Sequence, residues 1–212
     1  MEERRKRILD TTERLIRDTG GTEFSVRTIA AAAEVAPATP FNLFGSKEGL
    51  LYALLFRSLD AIITEGLSFK SPNRLNHVVE ATTSAVNIFV KDPDYMRPLY
   101  RVLLGVDDEV HRPDFMNRSL GFWRIAVETL PAGGLLNAPR QKEFATISLQ
   151  AQFLGLLELW VHHDIDDKQF LDHAIYGVVA SLAGLVDQKI RGTLISFLEI
   201  AEGSSADAEH IT

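Results

Sequence analysis

The chain has 212 residues, 46% hydrophobic and 24% charged, the balance of a globular protein rather than a disordered or fibrous one. Cysteine is missing, which excludes disulfides, thiol catalysis and cysteine-ligated zinc. The net charge of −7 falls entirely on residues 51–212, because residues 1–50 carry eight of the 22 basic and eight of the 29 acidic residues, so a neutral head precedes an acidic body.

Apolar residues recur at spacings of three and four almost throughout, the mark of helix rather than strand. The spacing predicts a first helix over 2–19, with Ile8, Thr12, Leu15, Ile16 and Thr19 on one face and Gly20–Gly21 ending it. Ser25 is a good cap for a second helix over about 26–33 that turns Val26, Ile29, Ala30 and Ala33 inward. A break at Glu34–Val35–Ala36 leads to a short third helix ending at Phe44 and Gly45. Ser46 then caps a fourth helix over about 47–67 with a wide apolar face. Ser71–Pro72–Asn73 marks a joint. Further helices are expected at about 74–91, 94–105, 112–130, 139–163, 166–187 and 189–202, punctuated by Pro93, Pro113, Pro131 and Pro139. The tail over 203–212, GSSADAEHIT, has the small polar composition of an unstructured end. No apolar run reaches the roughly 20 residues of a membrane span. The start MEERRKR lacks the apolar core of a signal peptide. A cytoplasmic, all-α protein is expected.

Two short helices joined by a three-residue break, one helix before them and a long one after, form a helix-turn-helix pattern. Its third helix is short enough to lie in a DNA major groove while the second braces it across the backbone. The stretch FSVRTIAAAAEVAPATPFNLFGSKEGLLYALL resembles the signature of the TetR family of transcriptional regulators. Ile29, Ala30, Ala33, Val35, Thr39, Phe41, Phe44, Ser46, Lys47, Glu48 and Leu50 fall in register with it, over about residues 5–55. The resemblance implies a helix-turn-helix head over 1–48 and a larger helical ligand-binding and dimerisation domain over 49–212. It also implies a homodimer that reads a palindromic operator in double-stranded DNA.

On that resemblance Thr39, Phe41 and Asn42 form the base-reading surface, and Arg27, Thr28 and Lys47 meet phosphates. Arg4 and Arg5, in the cluster Arg4–Arg7, are further phosphate candidates, although a run of charge is more often a solvated helix start. Asn42 is suited to adenine and Phe41 to a thymine methyl. Three residues depart from the family pattern. Glu34 stands where glycine is usual, Phe41 where tyrosine is usual, and Pro40 disfavours helix at the residue before it, so the third helix should begin near Thr39.

In the body, Phe89, Met96, Tyr100, Phe122, Trp123, Phe153 and Trp160 are the candidate lining of a cavity for a small hydrophobic or aromatic effector. Asn87, Gln150, Gln152, Glu158 and His162 are polar groups available to orient it. Ordinary core packing is the competing reading for each. Ala174, Gly177, Ser181 and Gly184 make a stripe of small residues, read as a dimer seam within a four-helix bundle, or else as packing inside one chain. His162, His163, Asp164, Asp166, Asp167 and His173 cluster at a helix corner, but without tetrahedral ligand spacing. No metal or cofactor is expected, and neither phosphate loop nor nucleophile elbow is present to suggest an enzyme. A repressor released by its effector is the leading expectation. A ligand-independent regulator, an activator and a metal-dependent enzyme are the alternatives.

Overall fold

The computed structural model describes residues 1–105, 108–131 and 133–196. These residues are helical with no strand, as expected for an all-α chain. In chain order the helices are α1 (Glu2–Thr19), α2 (Val26–Ala32), α3 (Thr39–Phe44), α4 (Lys47–Gly66), α5 (His77–Lys91), α6 (Pro93–Gly105), α7 (Arg112–Glu128), α8 (Pro139–Val161) and α9 (Asp167–Ala183). Short 3-10 turns at Arg74–Asn76 and Gly134–Asn137 lead into α5 and α8. Residues 188–196 are again helical. The rest of the expected last helix and the tail over 203–212 lie outside the described residues.

Prolines begin helices rather than merely separating them. Pro93 and Pro139 are first residues and Pro113 a second, positions whose amides have no helical partner in any case. Pro98 sits inside α6. Helices α7, α8 and α9 end at Glu128, Val161 and Ala183, short of the expected 130, 163 and 187, while the Asp166 carboxylate accepts the Gln169 amide and the Gln169 side chain returns to the Asp166 amide, which fixes where α9 begins.

Contacts group the chain into two compact units, one of residues 1–61 and 89–117 and the other of 62–88 with 118 onward. This grouping differs from the functional boundary expected at 48/49, because α4, α5 and α7 each run continuously from one unit into the other. In the first unit α1 packs on α2 and α6, and α2 packs on α3. Ile8, Ile16, Ile29, Leu50, Leu54, Leu55 and Leu99 are fully buried there. On the expected face of α1, Leu15 is only half-buried and Thr19 exposed, and the buried side of the helix is instead completed by Leu9 and Thr11. Val26 is likewise half-buried.

The second unit is organised by α9 lying along α8. Its rings form a chain: Phe122 meets Trp123 edge-on, Trp123 meets Phe153, Phe153 meets Phe170, and Phe170 stacks on Trp160 with centroids 5.5 Å apart. The Trp160 indole donates to Asp167 Oδ1 at 2.7 Å. Burying rings of this size is the largest apolar contribution a small unit can make.

Mean hydropathy over an 18-residue window of α8 reaches 1.3, so among the described residues this helix is long and apolar enough to cross a membrane by length and composition. Reading for unbroken apolar runs missed this, since Ser148, Gln150, Gln152 and Glu158 interrupt the pattern. Only 39% of the window is buried, and the remainder includes exposed Phe144, Ile147 and Leu159.

Candidate nucleic-acid interface

The head is built by specific contacts at helix ends. The Ser25 side chain accepts the Thr28 amide at 3.1 Å and so caps α2, a contact worth about 1 kcal/mol in comparable helices. The Ser46 hydroxyl accepts the Gly49 amide at 3.0 Å at the start of α4. Glu34, in the break between α2 and α3, has φ of 52°, the left-handed conformation that costs a non-glycine residue roughly 1–2 kcal/mol. Gly45 ends α3 with φ of 77°, where glycine is free of that penalty.

Helix α3 begins at Thr39, with Pro40 in its first turn, where the missing amide leaves no intrahelical bond unmade. Pro40 and Phe44 are buried and Leu43 is half-buried, so the helix is seated by one edge. Arg5 of α1 clamps it: Nη1 donates to the Leu43 carbonyl at 3.1 Å, and the guanidinium lies 4.4 Å from the Phe44 ring centroid. A guanidinium held this way supports the helix from within the head, whereas Arg4 is exposed.

The remaining DNA-contact candidates line up as follows. Phe41 is 50% exposed, Asn42 is exposed and Thr39 half-buried. Arg27 and Thr28 are exposed in the first turn of α2, with the Thr28 hydroxyl 2.9 Å from that of Ser25. Lys47 is half-buried with its ammonium 5.7 Å from the Phe24 ring centroid.

A second set of contacts was not legible in the sequence. Arg57 of α4 pairs with both Asp10 and Glu13 of α1, while Arg17 pairs with Glu13 and Asp92 and lies over the Tyr95 ring. Carboxylates and guanidiniums far apart in the chain thereby join α1 to α4 and α6. No spacing rule pairs Arg17 with Asp92, 75 residues away.

The candidate effector residues fall in both compact units. Phe89, Met96 and Tyr100 belong to the first and Phe122, Trp123, Phe153 and Trp160 to the second. All except half-buried Phe153 are at most 6% exposed. The Tyr100 hydroxyl lies 2.9 Å from Ser58 Oγ, and burial pushes its pKa up, with the Ser58 bond pulling the other way. A cleft of about 330 Å³ is lined by Glu65, Gly66, Ser68, Lys70, Val79, Glu80, Thr83, Ser84 and Asn87. Asn87 alone of the named polar candidates lines it. Gln150 is buried and Gln152 lies against α9.

The first half of the small stripe packs against α8. Ala174 and Gly177 are buried, and a Cβ on Gly177 would stand 2.2 Å from the Gln152 amide nitrogen of α8. Ser181 Oγ reaches the same Gln152 side chain at 3.4 Å, and Gly184 lies exposed beyond the end of α9. The polar corner at 162–173 is occupied by capping: Asp166 caps α9, Asp167 receives Trp160, and His162 Nδ1 lies 3.0 Å from the Glu158 carbonyl. Among the described residues no three histidine or carboxylate side chains group as metal ligands would.

The pattern described as "Bacterial regulatory proteins, tetR family" matches residues 8–54, spanning α1 through the first turns of α4. Over these residues the chain is similar to the DNA-binding region of TetR-family regulators. It is 30% identical over 105 residues to the HTH-type transcriptional repressor KstR of Rhodococcus jostii (strain RHA1), an alignment spanning about half of each chain. Its fold is that of a putative TetR-family transcriptional regulator from Syntrophomonas wolfei, at 21% identity and a TM-score of 0.68 over 85% of this chain and 96% of that one. The fold is also similar to that of AibR, solved in complex with isovaleryl coenzyme A and operator DNA, at 20% identity and a TM-score of 0.50 over 80% of this chain and 94% of the other.

Proposed function

We infer that this protein is a cytoplasmic DNA-binding transcriptional regulator, a repressor that acts as a homodimer on a palindromic operator and has no enzymatic role. One observation carries the reading: α3 is seated by Pro40, Phe44 and the Arg5 clamp, leaving Phe41 and Asn42 exposed on its other side with half-buried Thr39 at their flank. A short helix held from behind and bare in front is what major-groove docking requires. Lys47, Arg27, Thr28 and Arg4 flank it as phosphate contacts, which set orientation and salt dependence rather than sequence preference.

Dimerisation is supported by a different face from the small stripe. Phe144, Ile147, Ala151, Gly155 and Leu159 recur along α8, with Tyr176 and Ala180 on α9, and all are exposed. An apolar stripe of this length left in water marks an interaction surface, and a second copy of the chain supplies a self-complementary one. Two heads about one turn of DNA apart, ~34 Å, then read both halves of a palindrome.

Selection of bound duplexes from a random pool tests the whole reading. Palindromic sites bound by a dimer are expected. Lys47→Ala should weaken all duplexes alike and reduce the slope of affinity against salt by about one phosphate contact. Leu159→Glu should yield a monomer in light scattering with its helical signal intact. A chain that is monomeric as purified, or that ignores every duplex at low salt, overturns the proposal.

Release by a small hydrophobic or aromatic effector is the finer part of the reading. AibR, a neighbour solved with an acyl coenzyme A as well as operator DNA, supports it. A second reading, regulation without a ligand, is favoured by the ring-to-ring packing of Trp123, Phe153, Phe170 and Trp160, which engages these rings with one another as core. Thermal unfolding in the presence of apolar compounds and acyl coenzyme A esters separates them, since a ligand that binds only the folded chain at 100 times its Kd adds about 2.7 kcal/mol.

A further inference from the structure

We propose that the base pairs under α3 are A·T pairs, read by the Asn42 amide and by thymine methyl groups packed on Phe41 and Ala38, with no guanine readout from this helix. The inference rests on the regulator reading above and goes on to specify the class of operator.

The geometry comes from the seated edge of the helix. Residues step about 100° around a helix axis, so Pro40, Leu43 and Phe44 lie within one narrow arc, and that arc is the buried one. The opposite arc is centred on Ala38 and Asn42, with Phe41 and Thr39 on its flanks. Ala38, Phe41 and Asn42 are exposed and Thr39 is half-buried. The outward surface is therefore a methyl, an amide, a phenyl ring and a threonine, and it bears no charge.

That chemistry selects between bases. Guanine is read chiefly by arginine or lysine bonding its O6 and N7 together, while asparagine makes the equivalent two bonds to adenine N6 and N7. Here the cation nearest the helix, Arg5, is turned back onto the Leu43 carbonyl and the Phe44 ring, and Lys47 lies by Phe24. Apolar side chains distinguish thymine by its C5 methyl, which cytosine lacks. Phe41, at 50% exposure, has a phenyl face free for such a methyl. Glu34, which can accept from cytosine N4, stands in the break before the helix and not on its outer arc.

The test uses the full-length chain and three rounds of selection from one random duplex pool, with the unaltered protein, Asn42→Ala and Phe41→Ala. Positions whose base preference changes with either variant are those under α3. These should be adenine or thymine in the unaltered protein. Replacing the pair that responds to Asn42→Ala with G·C should weaken binding about 5- to 150-fold, and Asn42→Gln should retain part of the adenine preference. Replacing thymine by deoxyuridine at the position that responds to Phe41→Ala removes one methyl and should weaken binding about fourfold. That loss should vanish in Phe41→Ala itself. Both side chains are exposed, so the variants should keep the helical signal and melting temperature of the parent. Guanine at the responding positions, or indifference to the thymine methyl, overturns this inference alone. Failure to bind any duplex overturns the regulator reading and this inference with it.

Discussion

Helices α3 and α8 are held by opposite means. The six residues of α3 are too few to be stable by themselves, since isolated helices shorter than about 12 residues are marginal in water. Its position depends on Arg5, Pro40, Phe44 and the left-handed backbone on either side. The 23 residues of α8 depend on area, with Trp160 and Leu157 buried in their own chain and α9 along their length. The comparison teaches that a short functional helix is fixed by a few directional contacts and leaves its working face bare. A long helix can lose a polar contact and remain in place, but it cannot lose a ring.

The largest test of that contrast is Trp160→Ala. Removing a fully buried indole stacked on Phe170 should cost about 3–5 kcal/mol in denaturant unfolding. A loss under 1 kcal/mol would show that α8 and α9 do not depend on this packing. Gly177→Leu comes next. Its side chain would enter the space of Gln152, whose exposed, flexible end can swing aside, so the overpacking should cost about 1 kcal/mol, the low end of the usual range. The same substitution would leave monomer stability unchanged and alter only dimerisation if the stripe faced another chain.

Effects in the head should be no larger and point both ways. Ser25→Ala removes the cap of α2 and should lower stability by about 1 kcal/mol. Glu34→Gly should raise it by about 1 kcal/mol by relieving the left-handed strain, set against the greater freedom of glycine in the unfolded chain. Unfolding curves of the two variants measured side by side decide the sign. A Glu34→Gly variant less stable than its parent would mean that the added freedom of glycine in the unfolded chain outweighs the relief of backbone strain.

Several features were readable from local chemistry. Ser25 and Ser46 act as caps and Pro40 sets the start of α3 at Thr39, because each depends on residues within four places of one another. The small stripe on α9 was equally visible, but not the surface it meets. A stripe of alanine and glycine only says that something comes close, and Gln152 of the neighbouring helix already does. The helical class and the tri-helical head thus came from sequence periodicity and caps, which act over one or two turns, while the base-reading candidates on α3 were named only through the resemblance to the TetR family. The Arg57 and Arg17 ion pairs, the ring chain through Trp160 and the outward apolar face of α8 were decided only in three dimensions. Each joins residues tens of positions apart or depends on which side of a helix is left uncovered, and a one-dimensional pattern carries no record of either.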